Sequence, residues 1–223
     1  MGSCNRKREV EVCIMTKVTP PGAAEAGMGL SERERSLISS AYRVITRQGG
    51  HRTSLQDIAE DAGVSKGLLL YHFKSKDVVL VTTMQWALLR TSDRIRSRLA
   101  EVDDDPRQAV QALIDAVFVG ARQNRDFYLL YLDLVEHSAR APSFGELSGM
   151  TKEIINGLYA EILRDGVHQG AFVIDDIDDT ATKMRSYIDG IFLTWLQEDK
   201  WQARYSQYRM MCRDGLQRLL GVV

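Results

Sequence analysis

From Thr53 to Phe73 the chain reads TSLQDIAEDAGVSKGLLLYHF, with two serines, Ser54 and Ser65, each placed to cap a short helix and a turn glycine, Gly63, between them. A serine cap leaves the first amides of its helix facing outward, and such amides, joined by hydroxyls and a lysine, suit phosphate oxygens and base edges. That chemistry falls on Ser65, Lys66, Gly67 and Leu68 at the start of the second helix, with Ser54 at the first cap. Leu68 adds an apolar group able to touch a thymine methyl. Bond-making chemistry has little to work with. The four histidines, His51, His72, His137 and His168, have no neighbour at metal-helix or nucleophile-elbow spacing. Glu136 and His137 are adjacent, so on a helix they point roughly 100° apart and cannot serve one substrate. Cys4, Cys13 and Cys212 are an odd number at spacings that fit neither a disulfide framework nor a closed zinc site. No catalytic residue, metal or cofactor is expected, and an enzyme is the weaker reading.

Two short helices can position these groups only if they cross closely. Leu55, Ile58 and Ala59 would face inward on the first, and Ala59 is small enough to let the second approach at a steep angle. Gly63 permits the left-handed turn between them, and Val64 and Leu69 fill the angle. This is a helix-turn-helix, which lays the start of its second helix in the major groove of DNA. A helix before it is expected from the capping box Ser31-x-x-Glu34, with Leu37, Ile38, Ala41, Val44 and Ile45 on one face and Gly49-Gly50 as its stop. Charge agrees. Residues 1–76 hold 12 Lys and Arg against 8 Asp and Glu, whereas residues 77–223 hold 17 against 22, so the positive end is the candidate polyanion binder, with an accidental asymmetry as the alternative.

The segment continues into Phe73-Lys74-Ser75-Lys76-Asp77-Val78-Val79-Leu80, and over residues 33–80 the chain resembles the tetracycline-repressor (TetR) family of regulators. Gly170-Ala171-Phe172, the acidic loop after it and Asp189-Gly190 are similar to the C-terminal part of the choline-betaine regulator branch. The resemblance implies that Thr53 and Lys76 hold phosphates, that Ser65 to Leu68 begin the recognition helix, and that Tyr71 and His72 lie near its end. Leu70 stands where many members carry a DNA-contacting tyrosine, which leaves neighbouring Tyr71 as the aromatic at that point.

The remainder reads as helix throughout, so the fold class is all-α: a flexible arm (1–30), a three-helix DNA-binding domain (31–76) and a larger helical effector-binding and dimerisation bundle (77–223). Ser75 opens a long helix to about residue 100, Asp105-Pro106 opens another, and Ser143-x-x-Glu146 forms a second capping box leading to a helix ending near Gln169. Residues 127–138 are apolar nearly all round, as in a helix buried between neighbours. In the last two helices, at about 177–198 and 201–220, apolar residues recur four and three apart. Packing within the chain and pairing between chains both fit such seams. A homodimer through Ile188, Ile191, Trp195, Tyr205, Tyr208, Cys212 and Leu219 is expected.

By the same resemblance the central helices enclose a small apolar or aromatic effector among Tyr128, Tyr131, Leu132, Val135, Met150, Met184, Tyr187, Phe192 and Trp195, with a protein partner as the alternative. Double-stranded operator DNA is the expected partner of the other end. No stretch supplies the roughly 20 apolar residues of a membrane span, and Glu9 and Glu11 interrupt any signal sequence, so a cytoplasmic location is expected.

Overall fold

In a computed structural model of the chain, residues 28–102, 105–140 and 149–221 are described, and every regular element among them is a helix. Helix α1 (Glu32–Gln48) starts where its capping box predicts: Ser31 Oγ accepts from the Glu34 amide, and the Glu34 carboxylate accepts from the Ser31 amide at 2.9 Å. Its buried face is Leu37, Ile38, Ala41, Val44 and Ile45, and Gly49 closes it at φ 87°. Helix α2 (Leu55–Asp61) carries a second reciprocal cap that the sequence reading saw only in part. Ser54 Oγ accepts from the Asp57 amide at 3.1 Å, while the Asp57 carboxylate accepts from the Ser54 amide at 2.8 Å and from Gln48 at 3.0 Å. Gly63, at φ 64°, turns the chain into α3 (Lys66–Phe73), capped by Ser65. Ile58, Ala59, Leu69 and Phe73 are buried between these helices and α1.

Ser75 caps the long helix α4 (Lys76–Leu99), and Asp105 with a first-turn proline opens α5 (Pro106–Val117). Next come α6 (Ala121–Arg140), a π-helical turn (Lys152–Asn156) running into α7 (Gly157–His168), then α8 (Ile177–Leu196) and α9 (Trp201–Leu219). After α7 the chain doubles back so that the Phe172 ring packs against Gly166, a position where a β-carbon would collide with the ring. Helix α6 packs on α1, α4, α8 and α9, which explains why its apolar surface extends nearly all round. Most of the arm and the Ser143-x-x-Glu146 capping box lie outside the described residues; Met28 and Leu30, placed in the arm, pack half-buried against the core.

The seams of α8 and α9 need correction. Ile188, Ile191, Trp195, Tyr208 and Cys212 are buried within one chain, because the two helices pack their periodic faces against each other and against the bundle. Trp195 Nε1 donates to the Trp201 carbonyl at 2.6 Å, and Tyr205, half-buried, accepts from the Gly120 amide and donates to Asn124. Of the expected interface, Leu219 alone stays exposed.

The capping carboxylates Glu34 and Asp57 are held below their usual pKa values, first by the backbone amides of Ser31 and Ser54. A lowered carboxylate pKa means stability present above the unfolded value, near pH 4, and lost as pH falls through the folded one. Acid should therefore loosen α1 and α2. Ser54→Ala should cost about 1 kcal/mol in urea unfolding and make that acid loss shallower, because it removes one of the bonds that lower the Asp57 pKa, whereas Ser97→Ala on α4 should do neither.

Candidate nucleic-acid interface and ligand cavity

The start of α3 is open. Ser65, Lys66 and Gly67 are exposed, Leu68 is half-buried, and the amides of Lys66 and Gly67 precede the first carbonyl a helix could offer them. Gly67 is informative because nothing in the fold requires it: an added β-carbon would meet only Ser65 Oγ, at 3.8 Å. Glycine near a helix start forgoes helix propensity of up to about 1 kcal/mol, so its advantage lies in what approaches from outside. Tyr71, 71% exposed, stands at the other end of α3 with the Lys74 ammonium 5.4 Å from its ring centre. Lys66 and Lys76 form no ion pair with any described residue, and Ser54 is exposed beside the first cap.

Two expected contacts sit differently. Thr53 is buried, with its hydroxyl donating to the Gly49 carbonyl at 2.8 Å, so it braces the turn after α1 instead of opening toward a phosphate. His72 points back to Glu34 of the α1 capping box, 3.3 Å away, and ties the end of α3 to the start of α1.

Above this unit lies a cavity of about 500 Å³ walled by α1, α4, α6, α8 and the π-helical turn. Of the expected effector residues, Tyr128 and Tyr131 line it. Met184, Phe192 and Trp195 form the buried layer behind, where Phe192 stacks on Tyr128 with ring centres 4.3 Å apart. Val135 and Tyr187 face outward, and Leu132 and Met150 are half-buried away from the space. What the sequence reading missed are Tyr42 and Arg43 of α1, Trp86, Arg90 and Arg94 of α4, and Arg185 and Asp189 of α8. Trp86, Arg90 and Arg94 recur every four residues, a legible one-face signal; the α1 wall had none, since it depends on how α1 meets α6.

The cavity is more polar than expected. Tyr128 and Tyr131 donate to the Asp189 carboxylate, at 3.0 and 3.5 Å, and Arg185 Nε lies 3.8 Å from it. Burial raises the Asp189 pKa against those bonds and raises the phenols of Tyr128 and Tyr159, which keeps both protonated. Burial likewise lowers the pKa of Arg94, and its neighbour Arg90 adds to the effect.

Two family profiles cover most of the described chain. The one for bacterial regulatory proteins of the tetR family matches residues 37–82, and the one for the C-terminal part of BetI-type transcriptional repressors matches residues 106–221. The chain belongs to the TetR family. Its C-terminal half is BetI-type. The regulator BetI of Yersinia pestis is 25% identical over 163 residues, 72% of this chain and 79% of that protein. An uncharacterized regulator of Bacillus subtilis, YerO, is 26% identical over 108 residues, 46% of this chain and 36% of its own length. A putative transcriptional regulator from Saccharomonospora viridis, solved in complex with choline, superposes with a TM-score of 0.73 at 26% identity, covering 84% of this chain and 97% of that one.

This TetR-family chain is accordingly a DNA-binding transcriptional regulator of the repressor type, and its relatives are regulators, not enzymes. Regulators of the family bind operator DNA and act as dimers. Among the described residues no group of His, Cys, Asp and Glu is placed to hold a metal, and no helix is long and apolar enough to cross a membrane. Two substitutions test the α3 face. Gly67→Ala should keep or raise thermal stability and still weaken DNA binding at least tenfold. Lys76→Ala should weaken binding to all sequences alike and flatten the dependence on salt by about one counterion per subunit, measured by fluorescence anisotropy.

Proposed function

We propose that the protein is a ligand-responsive repressor that binds a near-palindromic operator as a homodimer. Residues 31–76 act as the reading head and residues 77–223 as the effector-binding and dimerising part. Ser65, Lys66, Gly67, Leu68 and Tyr71 face the groove, with Ser54 and Lys76 at its phosphate edges and His72 holding α3 in register. The observation that carries the ligand response is the wall of the cavity: α1, the first helix of the reading head, lines it through Ser39, Tyr42 and Arg43. Arg43 in turn pairs with Asp61 at the end of α2, at 2.7 Å. A ligand in that space therefore touches the head directly. The choline bound by the Saccharomonospora viridis relative supports a small organic molecule as the occupant.

A second connection leaves α6, the helix that carries Phe127, Tyr128 and Tyr131 into the cavity. Further along it Asp133 accepts from the Gly50 amide at 2.5 Å, and Glu136 meets His51 at 3.1 Å. Both bonds fall on the turn between α1 and α2. A ligand that binds the released state more tightly shifts the equilibrium by that difference in affinity, and operator DNA weakens ligand binding by the same factor.

The dimer face is the outer side of α8 and α9, where Tyr187, Leu193, Met210, Met211 and Leu219 are exposed and Gly190 leaves room for close approach. An isologous contact repeats each of these across the two-fold axis and sets two α3 helices at successive major grooves, roughly 34 Å apart or a wider multiple. Selection from a randomised duplex pool should thus return an inverted repeat. The double variant Leu193→Glu, Met211→Glu should be monomeric by light scattering and lose most operator affinity; a surviving dimer would place the interface elsewhere. Asp133→Ala should stay dimeric but lower operator affinity roughly fivefold, the worth of one hydrogen bond. Unchanged affinity would remove that bond from the coupling.

A further inference from the structure

The cavity's charges do not balance. Of the four arginines in its wall, Arg43 is answered by Asp61 and Arg185 lies beside Asp189. Arg90 and Arg94, one turn apart on α4, have no carboxylate partner among the described residues. Their positions are nonetheless fixed. Arg94 Nε donates to the Ala116 carbonyl at 2.6 Å and Nη2 to Thr91 Oγ1 at 3.3 Å, which leaves Nη1 without a hydrogen bond among the described residues. Arg90 lies over the Trp86 ring, 4.7 Å from its centre. Two like charges braced in one wall, Arg94 half-buried and Arg90 at its exposed rim, repel each other, and an anion between them relieves that repulsion. Away from this end the wall is Phe127, Tyr131 and Ile155, a surface for a ring or chain.

Taking the cavity as the effector site proposed above, we infer that the effector is an amphipathic organic anion: its acidic group bridges Arg90 and Arg94, and its apolar body lies along Phe127 and Tyr131. A quaternary ammonium ion would meet this wall with the wrong sign. Trp86 already faces an arginine, and the one carboxylate, Asp189, is engaged by two phenols and Arg185.

The matched dyes 8-anilinonaphthalene-1-sulfonate and N-phenyl-1-naphthylamine test this, since they share an aromatic body and differ in the anionic group. Fluorescence titration at fixed salt should show the sulfonate binding at least tenfold more tightly than the neutral dye. In Arg90→Gln, Arg94→Gln that advantage should fall below about twofold, while the neutral dye keeps its affinity and reports an intact cavity. Equal affinities in the unaltered protein, or a preference that survives the double change, would overturn the inference. So would choline displacing the neutral dye equally well from both proteins. Operator release is measured separately. Selective sulfonate binding that leaves operator affinity unchanged upholds the anion site and refutes its effector role; choline alone releasing the operator upholds the ligand-responsive repressor and refutes the anion.

Discussion

Helix α4 is packed along its length by two sets of neighbours. Its first half buries Val79, Leu80, Thr83 and Met84 beside α1 and α3; its second half buries Ser92, Asp93 and Ile95 toward α5 and the π-helical turn. Between these halves, Trp86, Ala87 and Leu88 face the cavity. A single rigid rod that must satisfy both packings cannot shift at one end without disturbing the other, because close-packed interiors give way in steps and not gradually. The head, the cavity and the bundle are thus parts of one mechanical arrangement, and the buried core is continuous from Leu37 to Leu220.

The legible part of the molecule was the part built from local chemistry. The serine caps at positions 31, 54, 65 and 75, the turn at Gly63 and the inward face of α1 all follow from contacts within a few residues, and each appears where the sequence placed it. The seams of α8 and α9 fit packing within the chain or between chains, and for Ile188, Ile191, Trp195, Tyr208 and Cys212 the cover comes from the same chain. A three-four repeat records that a face is covered, not whether the cover comes from the same chain. Trp195, 0% exposed inside one chain, shows how complete that cover is.

The cavity was hardest to foresee for a related reason. Its wall joins residues as distant in sequence as Tyr42 and Asp189, and an empty space leaves no periodic trace. Aromatic and methionine content drew attention to the core around Phe192 and Met184, which is solid. The charged members were overlooked because arginines on a helix usually mean a solvated face, and only the crossing of α1 and α6 over α4 turns that face inward. The π-helical turn Lys152–Asn156 contributes similarly: by widening one turn it brings Ile155 into the wall, leaving Asn156 to donate to Thr182 of α8 at 3.1 Å.

The presence of α1 in the cavity wall bears on how such proteins diverge and how they can be re-engineered. Exchanging the first 76 residues between two relatives, to redirect one sensor to another promoter, looks like a clean swap of address labels. Here it would also replace Ser39, Tyr42 and Arg43, and with them one side of the chemical pocket. On the ligand-responsive reading proposed above, address and stimulus are not independent modules in this chain, and a hybrid would inherit part of its taste for small molecules from the donor of its DNA-reading head.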